Sequence, residues 1–347
     1  MAMRLKLDLT PLNSGQVKYI FCHPEEVLNN KVFNDYFTSE NFRQKNISVY
    51  LVIDEAHCIL EWGEDFRPEF KNLGQIRSVL KCRILALSAT VTENGQKQIR
   101  DNLLMRSFTS VCASPAKDNI VLLVSSRPSP NAKGNCAETP YDYIFNPILE
   151  EMMKKLEKFP ITIIYCKSLQ WIGYGYQKAR QILGKYFYSG ESRSENSRVV
   201  MFHSSMEKDS GKLKEAILSN LQKPDEKCHI RLIFSTVALG MGADLKHVQR
   251  VIHAGPPTSL ETYVQEIGRA GRTGKDAQAI LYFNRGDLAP RAMRKDMKEY
   301  CTNTTVCKRE MINHFFGFNT TVKLLKCCCV CNNNLELECQ FEDLGVN

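Results

Sequence analysis

The chain has 347 residues, 43% hydrophobic and 24% charged, enough apolar material for two or three cores. No apolar run reaches the roughly 18 residues of a membrane-crossing helix, and the opening MAMRLKLDLTPLNSGQ lacks the apolar centre of a secretory signal. Membrane-spanning and secreted classes drop out, a cytosolic or nuclear setting is expected, and the net charge of +8 fits a polyanionic partner or simply a basic, solvated surface.

In chain order, the strand-like runs are SVYLVIDE (48–55), RILALS (83–88), ITIIYCKS (161–168), SRVVMFHS (197–204), IRLIFST (230–236), RVIHAG (250–255) and AQAILYF (277–283). Amphipathic stretches at 92–104, 145–157, 205–222 and 258–268 lie between several of them. This alternation predicts βαβ units and parallel sheets, with strands buried on both faces because the runs are continuously apolar. SSRPSPNAKGNCAETPYD (125–142) reads as a loop. A boundary is expected near 112–120, which divides the chain into 1–115, 116–286 and a helical, then Cys-rich, 287–347.

Asp54 and Glu55 end the first strand-like run. Open α/β sheets bind ligands at that edge. An Asp there can hold a nucleotide's magnesium, and a neighbouring Glu can orient or deprotonate an attacking water. LSAT (87–90) ends the next run. STVALGMGAD (235–244) ends a later one and puts Gly240 and Gly242 where backbone must approach a ligand, with Asp244 beside them. YVQEIGRAGRTG (263–274) sets Arg269 and Arg272 three apart, a spacing suited to a γ-phosphate. Just after Glu55 come His57, Trp62, Phe66 and Arg67, side chains able to stack on bases and contact a single strand; Phe70 reads as core.

DEAH, LSAT, STVALGMGAD and QEIGRAGRTG, in this order and spacing, resemble the motifs of superfamily 2 helicases. DEAHCILEWGEDFRPEF is similar to the RecQ DNA helicases, which carry an aromatic-rich loop straight after DEAH. FCHPEEVL (21–28) and MFHSSM (201–206) resemble further family segments, and Lys117, leading to Asn119, stands where the family usually has Arg. The resemblance implies an α/β fold: two RecA-like parallel-sheet motor domains, the first incomplete, and a small helical zinc-binding domain. It implies ATP-dependent 3′-to-5′ DNA unwinding in repair, recombination and replication. ATP, magnesium and zinc would be cofactors, and single-stranded, branched or partly duplex DNA the partner. The setting would be the nucleus, or the cytoplasm of a prokaryote. Asp54, Glu55, His57, Gln265, Arg269 and Arg272 would form the catalytic set, and Gly240, Gly242 and Asp244 would face the nucleotide. Trp62, Phe66, Arg67, Lys167, Ser168 and Thr236 would face DNA.

The 347 residues contain no G-x-x-x-x-G-K-[ST]. Such a loop supplies the amides and Lys that hold the β- and γ-phosphates. In the family it precedes the DEAH strand, and only 53 residues precede Asp54 here. The expectation is a fragment lacking the phosphate loop, with an exposed edge on its first sheet. The alternative is a non-hydrolysing short form that binds DNA or a partner.

Seven of the fourteen Cys fall within 301–339. In a reducing compartment this favours a metal site over disulfides. Cys328-x-x-Cys331 has zinc-knuckle spacing, Cys307 lies upstream, and four thiolates can close a tetrahedral site. Cys307, Cys327, Cys328 and Cys331 are the chosen ligands, with Cys301, Cys329, Cys339 and His314 as possible substitutes.

Overall fold

The computed structural model describes residues 17–40, 42, 48–61, 69–128, 139, 141–209, 212–236, 244–319 and 324–332. The chain divides into two compact units, Met1–Ala113 and Ser114–Asn347.

In the first unit, helices α1 (Pro24–Asn29) and α2 (Lys31–Thr38) precede two parallel strands, β1 (Val49–Ile53) and β2 (Cys82–Ala86). Their register sets Val49 opposite Cys82 and Ile53 opposite Ala86. Helix α3 (Glu93–Asn102) follows, started by Thr92, whose hydroxyl accepts from the Gly95 amide at 3.2 Å. Ile53, Ile59, Phe70, Leu73, Ile76, Ile99 and Leu103 share one core. Here the expectation of strands covered on both sides is corrected. Tyr50, Val52 and Leu85 are exposed, so β1 and β2 alternate between an inward and an outward face.

The second unit holds six parallel strands: β3 (Ile120–Ser126), β4 (Thr162–Tyr165), β5 (Val199–Phe202), β6 (Leu232–Ser235), β7 (Arg250–His253) and β8 (Ala277–Phe283), in the order β3-β8-β7-β4-β6-β5. Successive residues alternate between two cores. Ile163, Ile233 and Val251 enter one, and Ile164, Phe234 and Ile252 the other. Helices α4 (Asp142–Lys155) and α5 (Leu169–Leu183) fill the second core with Phe145, Ile148, Ile172 and Ala179. Helices α6 (Lys212–Leu221), α7 (Leu260–Ile267), α8 (Lys295–Thr302) and α9 (Lys308–Phe315) fill the first with Ile217, Tyr263, Tyr300 and Ile312. The helical and Cys-rich segment therefore shares a core with the sheet. Strand β3, absent from the strand-like runs above, is one of this sheet's two edges, β5 being the other, and pairs with β8 along its length.

One buried ion pair crosses the second core. Arg250, at the start of β7, is 2% exposed. Its guanidinium meets Glu151 of α4 at 2.7 and 3.2 Å, donates to Gln278 Oε1 at 3.0 Å, and lies 5.6 Å from the Phe159 ring centre.

Candidate active site and metal centre

β1 delivers Asp54 and Glu55 at its carboxyl end. The Leu87 amide donates to Ile53 O at 2.9 Å and the Ala56 amide to Leu87 O at 2.8 Å, so the chain beyond β2 continues to brace the turn. Asp54 is exposed, and its Oδ1 accepts from the Glu55 amide at 2.9 Å. Glu55 has φ of 51°, a left-handed conformation that costs a non-glycine residue energy and recurs at functional positions. Its carboxylate lies 3.2 Å from His57 Nδ1, and the same nitrogen lies 3.2 Å from Ser88 Oγ. His57 is buried. It therefore joins the DEAH turn to the LSAT segment and does not present its ring as an outward base-stacking surface.

In the second unit, α7 begins at Ser259, whose Oγ accepts from the Thr262 amide at 3.2 Å. The helix ends in a turn carrying Arg269 and Arg272. Arg269 is buried. Arg272 Nη1 meets Asp244 Oδ1 at 3.1 Å. Side chains from the segment before β3 hold this turn. Lys117 Nζ donates to Gly268 O at 2.7 Å and Ala270 O at 3.3 Å, while Asn119 Nδ2 donates to Gly271 O at 2.9 Å and Lys275 O at 2.7 Å. Burial, aided by nearby Arg272, lowers the Lys117 pKa. Below the arginines, His253 Nε2 lies 2.7 Å from Glu266 Oε2, and the His253 ring stacks on Tyr165 with centres 5.1 Å apart. Burial first, and then the Glu266 charge, raises the Tyr165 pKa. Gln265 is half-buried on α7.

Gly271 has φ of 63°, and an added Cβ would lie 2.5 Å from Asn119 Nδ2. Gly274 has φ of 80° with nothing within 4 Å of such a Cβ. Gly274→Ala should therefore lose only the backbone part, about 1–2 kcal/mol. Gly271→Ala should lose clearly more. Urea unfolding of both variants checks this, and equal losses would show that the Asn119 contact is soft.

The sulfurs of Cys307, Cys327, Cys328 and Cys331 all lie within 4.8 Å of one another. Sγ–Sγ distances are 3.4 Å for Cys307–Cys327, 3.7 Å for Cys307–Cys328 and 3.6 Å for Cys328–Cys331. Four sulfurs around zinc at about 2.3 Å stand about 3.8 Å apart, so these four residues fit a zinc ion. Burial pushes the Cys328 thiol up, but the Cys331, Lys308 and Val330 amides outweigh it and hold its pKa below the ordinary value. The Lys308 amide points at Cys328 Sγ from 3.4 Å. The segment also docks on the sheet edge: the Leu122 amide donates to Cys327 O at 3.1 Å and the Cys329 amide to Leu122 O at 3.0 Å. Lys308 and Arg309 are buried. Lys308 donates to the Tyr300 and Asn303 carbonyls, and Arg309 to those of Lys117 and Ile120.

Comparison with known proteins gives two family matches: "DEAD/DEAH box helicase" over residues 4–99 and "Helicase conserved C-terminal domain" over residues 146–274. The ATP-dependent DNA helicase hus2/rqh1 of Schizosaccharomyces pombe is 29% identical over 91% of this chain and 22% of its own. ATP-dependent DNA helicase RecQ of Haemophilus influenzae is 26% identical over 88% of this chain and 45% of its own. ATP-dependent DNA helicase Q-like 5 of Arabidopsis thaliana is 33% identical over 80% of this chain and 26% of its own. The chain carries the two helicase domains and has RecQ-family helicases as homologues over most of its length. It spans less than half the length of these three relatives. Among solved structures, the DEAD-box helicase Mss116 bound to ssRNA and UDP-BeF has a TM-score of 0.52 at 18% identity, covering 80% of this chain and 48% of that one. The DUF1998 helicase MrfA bound to DNA and AMPPNP also gives 0.52, at 19% identity, covering 76% and 34%. These likenesses support RecA-like parallel-sheet domains.

Of the remaining positions assigned by the RecQ resemblance, Trp62, Phe66, Arg67, Gly240 and Gly242 lie outside the described residues, as does Cys339. Ser168 caps α5, its Oγ accepting from the Trp171 amide at 3.4 Å. Lys167 Nζ meets Asp287 at 2.9 Å, and the same carboxylate accepts from Arg127 at 3.0 and 3.1 Å. Thr236 is half-buried, its amide donating to Phe202 O at 3.3 Å. Sequence reasoning missed Ser88, His253, Glu266 and Arg309 as supporting residues. Ser88 and Glu266 sit inside quoted motifs, but nothing in the spacing tied Arg309 to residues 117–120.

Proposed function

We propose that this chain serves ATP-dependent 3′-to-5′ DNA unwinding of the RecQ type, in DNA repair, recombination and replication in the nucleus. The observation that carries the reading is the strained Glu55 at the carboxyl end of β1, tied through His57 to Ser88. Asp54 would hold the magnesium of ATP, and Glu55 would orient and deprotonate the attacking water. Bound magnesium neutralises phosphate charge. Arg269 and Arg272 would stabilise charge on the transferred phosphoryl group, with Gln265, Gly240, Gly242 and Asp244 facing the nucleotide. Trp62, Phe66, Arg67, Lys167, Ser168 and Thr236 would face single-stranded, branched or partly duplex DNA. Lys167 would have to exchange Asp287 for a DNA phosphate. Cys307, Cys327, Cys328 and Cys331 would hold zinc. The functional division is taken as 1–115, 116–286 and 287–347. Among the described residues no helix is long and apolar enough to cross a membrane.

A specific observation favours a second reading. The 347 residues contain no G-x-x-x-x-G-K-[ST], so these residues alone would bind DNA without turning over ATP. ATP turnover, with and without single-stranded DNA, is the test, with Glu55→Gln as control. DNA-stimulated turnover that falls about 10²–10⁴-fold in the variant supports the first reading. Background turnover, with DNA binding that weakens steeply with salt and ignores ATP, supports the second. A chain that neither hydrolyses ATP nor binds DNA overturns both.

A further inference from the structure

The thiol cluster and the arginine turn are separate segments of the second unit, and a short run of hydrogen bonds through residues 114–122, at the unit's other end, joins them. Cys307 is the N-cap residue of α9, and the next residue's amide points at Cys328 Sγ, so the cluster fixes the first turn of this helix. Arg309 stands in that turn, 3% exposed. Its guanidinium donates to Lys117 O and, at 2.6 Å, to Ile120 O. The same stretch is held twice more from the cysteine side, by Asn313 at Ser114 and by Cys327 and Cys329 at Leu122. With its backbone clamped there, the stretch sends the side chains of Lys117 and Asn119 to four carbonyls of residues 268–275. Those carbonyls bracket Arg269 and Arg272.

We infer that the cysteine cluster positions the arginine-bearing turn, with Arg309, Lys117 and Asn119 as the positioning residues that transmit its geometry. A fixed guanidinium fixes two carbonyls, and those fix where an ammonium and an amide can reach. Carbonyls shielded from water, as those of Ala270 and Gly271 are and that of Gly268 is in part, demand partners, so the turn keeps the place where these donors stand. Lys117 contacts the two carbonyls that flank Arg269, and Asn119 contacts one on each side of Arg272. What the arginines do rests on the function proposed above; where they stand does not, and the test reads where they stand.

The experiment is hydrogen exchange on the full 347-residue chain, purified with zinc, comparing wild type with Arg309→Met, Lys117→Met and Lys117→Arg. Zinc per chain is measured on each sample. Arg309→Met and Lys117→Met should speed exchange in peptides covering 268–275 on the order of tenfold, with zinc content unchanged. Lys117→Arg, which restores a long donor, should return exchange to the wild-type rate. The inference is overturned if Arg309→Met opens only 114–122 and leaves 268–275 protected. It is equally overturned if Lys117→Arg exchanges as fast as Lys117→Met. Should Arg309→Met fail to fold, stepwise chelation of the wild-type chain replaces it. Joint loss of protection in 114–122 and 268–275 ahead of β4 and β6 supports the inference. Loss confined to 307–332, or loss across the whole unit at once, overturns it. None of these readouts needs ATP turnover, so a failure of the helicase reading leaves the result interpretable.

Discussion

Cys328→Ser is expected to abolish stoichiometric zinc binding and the cooperative melting of the second unit. Cys328 is fully buried, its sulfur stands within 4 Å of those of both Cys307 and Cys331, and its carbonyl and amide neighbours dock on β3. A four-thiolate zinc site binds with an apparent free energy on the order of 10 kcal/mol, and that energy is shared with folding. The effect reaches beyond residues 307–332 because Met297, Tyr300, Ile312 and Cys328 lie in the same core as Ile163 and Val251. Calorimetry with a zinc assay checks this. Cys329→Ser is the control, since its sulfur lies outside the four-thiol group. An unchanged melting transition in Cys328→Ser, with no zinc in either protein, would show that the thiols are core residues only, and one zinc per chain retained would show that Cys328 is not a required ligand.

Glu151→Leu should cost about 3–5 kcal/mol, because it removes the carboxylate that meets the buried Arg250 guanidinium at 2.7 and 3.2 Å. The double variant Glu151→Leu/Arg250→Met should recover a large part of the loss, since an apolar pair of similar volume avoids desolvating two ions. Urea unfolding of the single and double variants separates the cases. A single variant within about 1 kcal/mol of wild type would mean that water already reaches and screens the guanidinium.

The parallel sheet was legible because its central strands are apolar on both faces: Thr162–Tyr165, Leu232–Ser235 and Arg250–His253 read as runs and are runs. β3 (IVLLVSS) is as apolar as any, but its last residues, Ser125 and Ser126, open the Pro- and Gly-rich stretch 125–142, whose composition reads as loop and masks the strand. The open face of β1 and β2 was not legible either. Tyr50 and Leu85 are apolar, and a periodic pattern of apolar residues does not say which face is covered. Asp54 and Glu55 were readable as strand-end carboxylates. The His57–Ser88 contact was not, since it joins residues 31 apart through tertiary packing. Lys308 and Arg309 look like surface charges in sequence. Their burial follows from carbonyls supplied by residues 117, 120, 300 and 303, which no local spacing records.

The bridge between Leu122 and Cys328 has a consequence for life at high concentration. A parallel sheet ending in a bare strand offers a row of amides and carbonyls to any passing copy of itself. Here the cysteine knuckle occupies the middle of β3, taking the amide and the carbonyl of Leu122. The knuckle thus covers the middle of one of the sheet's two edges, the other being β5, and its posture depends on thiols being held together. On the zinc reading proposed above, loss of the metal would bare this strand as well as loosen the fold.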